Sequence, residues 1–168
     1  MAKKYCVVRT DLMQGTDVGA NLCSLRFYDS GAVAEVENGV IVKLEGLEDG
    51  EREVYKAVAA TSSDKLNECA IVAAPEVMYD ERLKNLDEFI NEAGKAVRGY
   101  IPHARNIFSV TKEGFVGGTA PSVGAEVGIG DNGKIDATGT GLGKCIHIED
   151  VGRYTYYAIQ IAQTEVAG

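Results

Sequence analysis

The sequence predicts a mainly β chain of the α+β class: a compact β-barrel or β-sandwich with one amphipathic helix at about 80–98. Three observations carry that expectation. Short runs of alternating apolar and polar residues recur along the chain, the period of a strand with one face buried and one wet. Twenty glycines against three prolines and no tryptophan supply many tight turns, which favours short strands over long helices. A single stretch departs from this period, with apolar residues spaced by three and four.

The elements follow in order. Residues 5–9 (YCVVR) form an apolar, β-branched run of strand character, followed by a loop-like segment from Met13 to Gly19. Residues 21–29 alternate, with Cys23, Leu25 and Phe27 on an apolar face and Leu22, Ser24, Arg26 and Tyr28 opposite. The clearest hairpin is expected at 33–47, where VAEVE and VIVKL flank Asn38-Gly39, the dipeptide suited to a type I′ turn. REVYKAVAAT at 52–61 reads as another strand, and ECAIVAAP at 68–75 as a short buried one.

After Pro75 the period changes. Leu83, Leu86, Phe89, Ile90, Ala93 and Val97 predict one helix from near Asp80 to Gly99. Asp80 and Glu81 near its start and Lys95 and Arg98 near its end agree with the helix dipole. Its expected role is packing on the protein's own sheet; binding a partner is the other reading.

Strand patterns return at 106–114 (NIFSVTKEG) and are broken at Gly117-Gly118. A second Asn-Gly turn is expected at 132–133. KCIHIED at 144–150 sets Cys145, His147 and Glu149 against Ile146 and Ile148. RYTYYAIQI at 153–161 sets Tyr157, Ile159 and Ile161 against Tyr154, Tyr156, Ala158 and Gln160. With no internal repeat, residues 1–168 read as a single β-rich domain with the helix as an insertion.

Charge and cysteine usage exclude several functions. A net charge of −8 repels nucleic acid phosphates and anionic membrane surfaces, so neither is an expected partner. The one basic cluster, Lys3-Lys4, is too small to reverse that. Cys6, Cys23, Cys69 and Cys145 are widely separated, without the short spacing of a zinc or redox site, and read as scattered buried thiols. The N-terminal apolar run is too short for a signal peptide core, and nothing approaches the ~20 apolar residues of a membrane helix. The chain is therefore expected to be soluble and not secreted.

Several motifs invite a catalytic or ligand-binding reading, and none holds. Gly128, Gly130 and Gly133 match G-x-G-x-x-G, but a dinucleotide site needs a helix to follow, and here Gly139, Gly141 and Gly143 do. These glycines are expected to make a hairpin and a bend. His147-Ile148-Glu149 has the H-x-E spacing of zinc deaminases without their Pro-Cys-x-x-Cys element, and His103 stands apart. Glu45, Glu48, Asp49, Glu51 and Glu53 crowd a turn where solvent would keep their pKa values alike, unsuited to acid–base chemistry. Asp131, Asn132 and Asp136 lack the order of a calcium loop. No Gly-x-Ser-x-Gly elbow occurs. Tyr154, Tyr156 and Tyr157 suit a core or an interface better than stacking on bases. The expectation is a protein that is not an enzyme and holds no cofactor or metal.

The run SVGAEVGIGDNGKIDATGTGLGKCIHIEDVGRYTYYAIQI (122–161) resembles the end of small tailed-phage head decoration proteins. The stretches NGVIVKLEGLEDGEREVYKAVAAT and ECAIVAAPEVMYDE are similar to phage structural proteins encoded beside capsid genes. The expected amphipathic helix departs from the smallest members. The resemblance implies a capsid decoration (cement) protein on the outer face of the head shell, a homo-oligomer, often a trimer, that braces the major capsid protein. Its localisation would then be the virion head, after synthesis in the host cytoplasm. Alternatives are a tail tube, baseplate or head-fibre component, or a non-viral protein-binding module. The Lys-rich start and the loop after Arg9 add the expectation that residues 1–20 lend a strand to a partner.

Overall fold

The computed structural model describes residues 4–13, 21–78 and 85–162. Among them, six strands form the first sheet: β1 (Leu22–Asp29), β2 (Ala32–Val33), β3 (Ile41–Leu47), β4 (Val54–Ala59), β5 (Cys69–Val72) and β6 (Val97–Tyr100). Their order is β2-β1-β4-β3-β5-β6, and β6 also pairs back onto β1, from Leu22↔Tyr100 to Leu25↔Val97. Five of the strands therefore close a ring. All contacts are antiparallel except β1 with β4, which run parallel.

The interior of the ring is the apolar face expected for β1. Leu25, with Cys23 and Phe27 beside it, packs with Val42, Ala57, Ala70, Val72 and Val97. Closure depends on one small residue. A Cβ at Gly99 would stand 2.7 Å from both Cys23 Sγ and Leu25 Cδ2, so a larger residue would push β6 away from β1.

The second sheet is antiparallel throughout, in the order β7-β11-β10-β8-β9. It comprises β7 (Ile107–Val110), β8 (Glu126–Ile129), β9 (Ile135–Asp136), β10 (Gly141–Val151) and β11 (Tyr154–Ile161). Its inner face packs against the outside of the ring: Phe108, Val127, Leu142, Ile159 and Ile161 share one core with Ile41, Cys69, Ile71 and Tyr100. Strand β5 is consequently buried on both faces, which explains why ECAIVAAP reads as an unbroken apolar run. The expected Asn-Gly turn joins β8 to β9, with Asn132 at φ +57 and Gly133 at φ +70.

Four expectations are corrected. The helix at 80–98 does not form over its described part; residues 79–84 lie outside the described residues. A single 3-10 turn, Leu86–Glu88, is closed by a capping box between Asn85 and Glu88. Asn91 then bridges Val36, Gly94 takes φ +79, and β6 begins at Val97. A backbone exchanging hydrogen bonds with Val36 cannot also make helical ones, and Gly94 sits outside the right-handed region.

The hairpin at 33–47 is replaced by another. β2 pairs with β1 across Ser30-Gly31 (φ +52 and +84), while β3 pairs with β4 and β5. Asn38 does not take the positive φ a type I′ turn needs, because its side chain is engaged elsewhere. It is fully buried, donating through Nδ2 to Ala74 O at 2.9 Å and accepting at Oδ1 from Ala74 N (3.1 Å) and Asn91 Nδ2 (3.1 Å).

The strict alternation expected at 144–150 is broken by a bulge between Cys145 and His147. Cys145 stays in the core, while His147 and Glu149 fall on the outer side. Last, the described N-terminal residues dock on their own protein. Val8 bridges Val110, Thr111 N donates to Val7 O at 3.1 Å, and Cys6, Val7 and Val8 are buried. Residues 4–13, already committed to β7, are not a strand held out for a partner; residues 1–3 and 14–20, the rest of that expectation, lie outside the described residues.

Candidate functional site: the open edge of β10

β10 is the longest strand among the described residues, and its two halves differ. Gly141 to Lys144 run along β8, and Gly143 and Lys144 pair with β11 on the other side as well. Cys145 still exchanges backbone bonds on the β8 side, donating to Ala125 O at 2.9 Å and accepting from Gly124 N at 2.7 Å. From Ile146 to Val151, among the described residues, β11 is the only neighbour. Among the described residues, the other edge of that half presents unpaired backbone donors and acceptors, the arrangement to which a further strand adds.

Apolar side chains flank it. Val123, next to the Gly124 that ends the β8-side pairing, is 58% exposed, Val151 42% and Ile146 36%. Apolar side chains at the two ends of a strand edge are costly to leave in water, and natural edges usually carry charge or a bulge against unwanted pairing. The bulge next to Ile146 sits at the start of this edge.

The edge is held stiffly from both sides. Ile148 packs on the core between the sheets, and Asp150 accepts from Thr155 Oγ1 at 2.7 Å. On the outer side Glu149 lies 3.4 Å from Arg9, whose guanidinium stacks 5.4 Å above the Tyr156 ring and pairs with Asp11 at 2.8 Å. The Arg9 bond holds the Asp11 carboxyl below its ordinary range. Burial pushes the Tyr156 phenol up.

At the turn of the hairpin, Arg153 donates to Asn85 Oδ1 at 2.6 Å and lies 3.4 Å from the buried Asp87. Asp87 also meets Lys4 at 3.2 Å, and its carbonyl accepts from Tyr5 N at 2.8 Å. The N-terminal segment thus straps the hairpin to the domain.

The residues that invited catalytic readings do not converge. A Cβ at Gly128 would meet the Thr140 backbone at 2.7 Å, one at Gly130 would meet Val116 at 2.6 Å, and one at Gly133 would collide with the Ile41 carbonyl. These glycines let β8 and its turn lie close to neighbouring backbone. His103 lies in the loop before β7, away from His147 on β10. Asp136 is taken up by Thr138, accepting its N–H and Oγ1 at 2.8 Å each, which lowers its pKa. In the acidic turn Glu48 differs from the solvated group expected: its carboxylate is mostly buried, 3.7 Å from Arg26. Burial raises Cys6 to about 12, and Cys23 and Cys69 to about 11 each, so these thiols are poor nucleophiles.

Sequence reasoning missed the open edge because alternation identifies a strand but not its neighbours. It also missed Lys134, which reaches across to Glu37 and donates to Glu113 O at 2.7 Å, while Glu37 accepts from Cys6 N at 2.8 Å. That pair ties the β8–β9 turn to the N-terminal segment, beside a cleft of about 470 Å³ lined by Tyr5, Tyr28 and Glu35.

No protein-family model, curated protein or solved structure matches the chain. Among the described residues, no helix is long and apolar enough to cross a membrane.

Proposed function

We propose that this chain is a structural protein of a phage particle: a decoration protein that binds the outer face of the head shell and stabilises it. The observation that supports this reading is the open, apolar-flanked edge of β10 on a scaffold whose two sheets share one core. A part of that kind needs rigidity and a docking surface, and it works by binding alone. The phage-like run from Ser122 to Ile161 covers β8 to β11, so the resemblance falls on the sheet that carries the edge.

In this reading the chain is a single domain, and the closed ring serves as a small barrel that stiffens the second sheet from behind. The partners are the major capsid protein and further copies of the chain. By binding the mature lattice in preference to loose subunits, the protein shifts the equilibrium toward the assembled shell. The expected place is the head surface, after synthesis in the host cytoplasm.

The test is fractionation of purified particles followed by quantitative mass spectrometry. A decoration protein sediments with heads in hundreds of copies, and heads stripped of it lose thermal or osmotic resistance that added protein restores. Sedimentation with tails would move the assignment to a tail component. Absence from particles would refute the virion reading and leave a protein-binding module.

A further inference from the structure

We propose that a second copy of this chain covers the open edge, its β10 running antiparallel to the first about a two-fold axis at Ile148. The inference rests on reading this edge as a docking surface, not on the identity of the particle.

The backbone decides which groups are available. β10 and β11 are joined by a two-residue turn at Gly152-Arg153, with Gly152 at φ +62, and Val151↔Tyr154 is the pair that closes it. In such a hairpin the closing pair is hydrogen-bonded, and bonding alternates along the strand. Val151, Glu149 and His147 therefore aim their N–H and C=O groups at β11. Ile148 and Asp150 aim theirs at the open edge.

Symmetry then restricts the register. In a two-fold antiparallel pair a residue facing the partner must meet one that also faces it, so the axis passes through a residue. An axis at His147 sets that side chain against its own copy and lays Glu149 and Asp150 opposite Cys145 and Lys144, whose far sides Gly124, Ala125 and β8 already occupy. At Glu149 two carboxylates would face each other at about 4.5–5.5 Å, a destabilising pair. At Asp150 two aspartates would do the same.

At Ile148 no like charges meet. The two Ile148 residues exchange a pair of backbone hydrogen bonds, each Asp150 lies opposite the bulge at Ile146 of the other copy, and pairing stops there because Cys145 is already bonded to Gly124 and Ala125. His147 of each copy lies opposite Glu149 of the other, twice over by symmetry, and Arg9 already stands beside that carboxylate. The exposed Ile146 comes under the partner. The two five-stranded sheets become one continuous sheet.

Sedimentation equilibrium of the full chain over a wide concentration range tests this, with hydrogen exchange on the same samples. The expected result is a species of about twice the 17.9 kDa chain mass, with the Ile148 and Asp150 amides slowing in exchange as concentration rises. H147E puts glutamate opposite Glu149 and should raise the dimer Kd at least about tenfold. The swap H147E/E149H restores the opposite-charge pairing and should recover most of that loss. Circular dichroism melts check that each variant is folded; the exchange measurement needs no variant. A monomer at every concentration, an oligomer indifferent to H147E, or amides whose exchange ignores concentration would overturn the proposal. Head binding by a monomeric chain would sink the dimer and spare the decoration reading. A dimer absent from all particles would do the reverse.

Discussion

Asn38→Ala tests the physical account of why the expected hairpin gives way. Asn38 is fully buried and is a hub: Nδ2 donates to Ala74 O at 2.9 Å, and Oδ1 accepts from Ala74 N and from Asn91 Nδ2, each at 3.1 Å. Truncation leaves both backbone groups of Ala74 inside the protein without these partners. An unsatisfied buried polar group costs about 1–3 kcal/mol, so the two together set an expectation of about 2–6 kcal/mol. Asn91 retains its bond to Val36 O at 2.9 Å, which limits the loss on that side. Against a typical total stability of about 5–15 kcal/mol this is a large fraction.

Urea unfolding followed by circular dichroism should show a lower midpoint at unchanged slope. Asn38→Ser serves if the alanine variant does not fold. A double-mutant cycle with Asn91→Ala should give a coupling of about 0.5–3 kcal/mol, because the two amides share a bond. A loss below about 1 kcal/mol for Asn38→Ala would mean that the Asn38 amide is not what holds Ala74, and the explanation of the missing turn would fail with it.

Three further outcomes are expected. Deleting residues 1–8 removes the buried Cys6, Val7 and Val8, and at about 1.5–3 kcal/mol for each large apolar side chain it should unfold or severely destabilise the chain, seen as a collapsed thermal transition; a native-like melt would restore the idea of a free arm. Glu76, whose pKa is raised by burial, binds its proton more tightly folded than unfolded, so its contribution is favourable below the ordinary glutamate pKa and is lost as pH rises through the folded value. Glu76→Gln should therefore raise the urea midpoint at neutral pH and lose that advantage in acid; a pH-independent difference would contradict the sign. Finally, the native protein should react slowly with a thiol reagent at mildly alkaline pH, with all four cysteines titrating only after unfolding; a fast thiol in the native state would contradict the raised values at Cys6, Cys23 and Cys69.

Much of the strand content was legible because its signal is local. The apolar face of β1, the buried run of β5, the alternation in β11 and the Asn132-Gly133 turn each follow from the residues themselves. The candidate site was less so. The sequence marks 144–150 as a strand but contains nothing that says β8 stops pairing at Cys145, since that depends on where another segment ends in space.

The helix shows the limit most plainly. Spacings of three and four at Leu86, Phe89, Ile90, Ala93 and Val97 describe a helix only while the segment is considered alone. In the fold, Val36 takes the backbone of Asn91 and β1 takes Val97, and a short helix gains too little from its own hydrogen bonds to compete with those contacts. The sequence by itself determined the mainly β character, the positions of most strands and the acidity of the chain, all properties of side-chain period and composition. Ring closure, the bulge in β10 and the edge left open beyond it were decided only in three dimensions, because they arise from pairings between residues far apart in the chain.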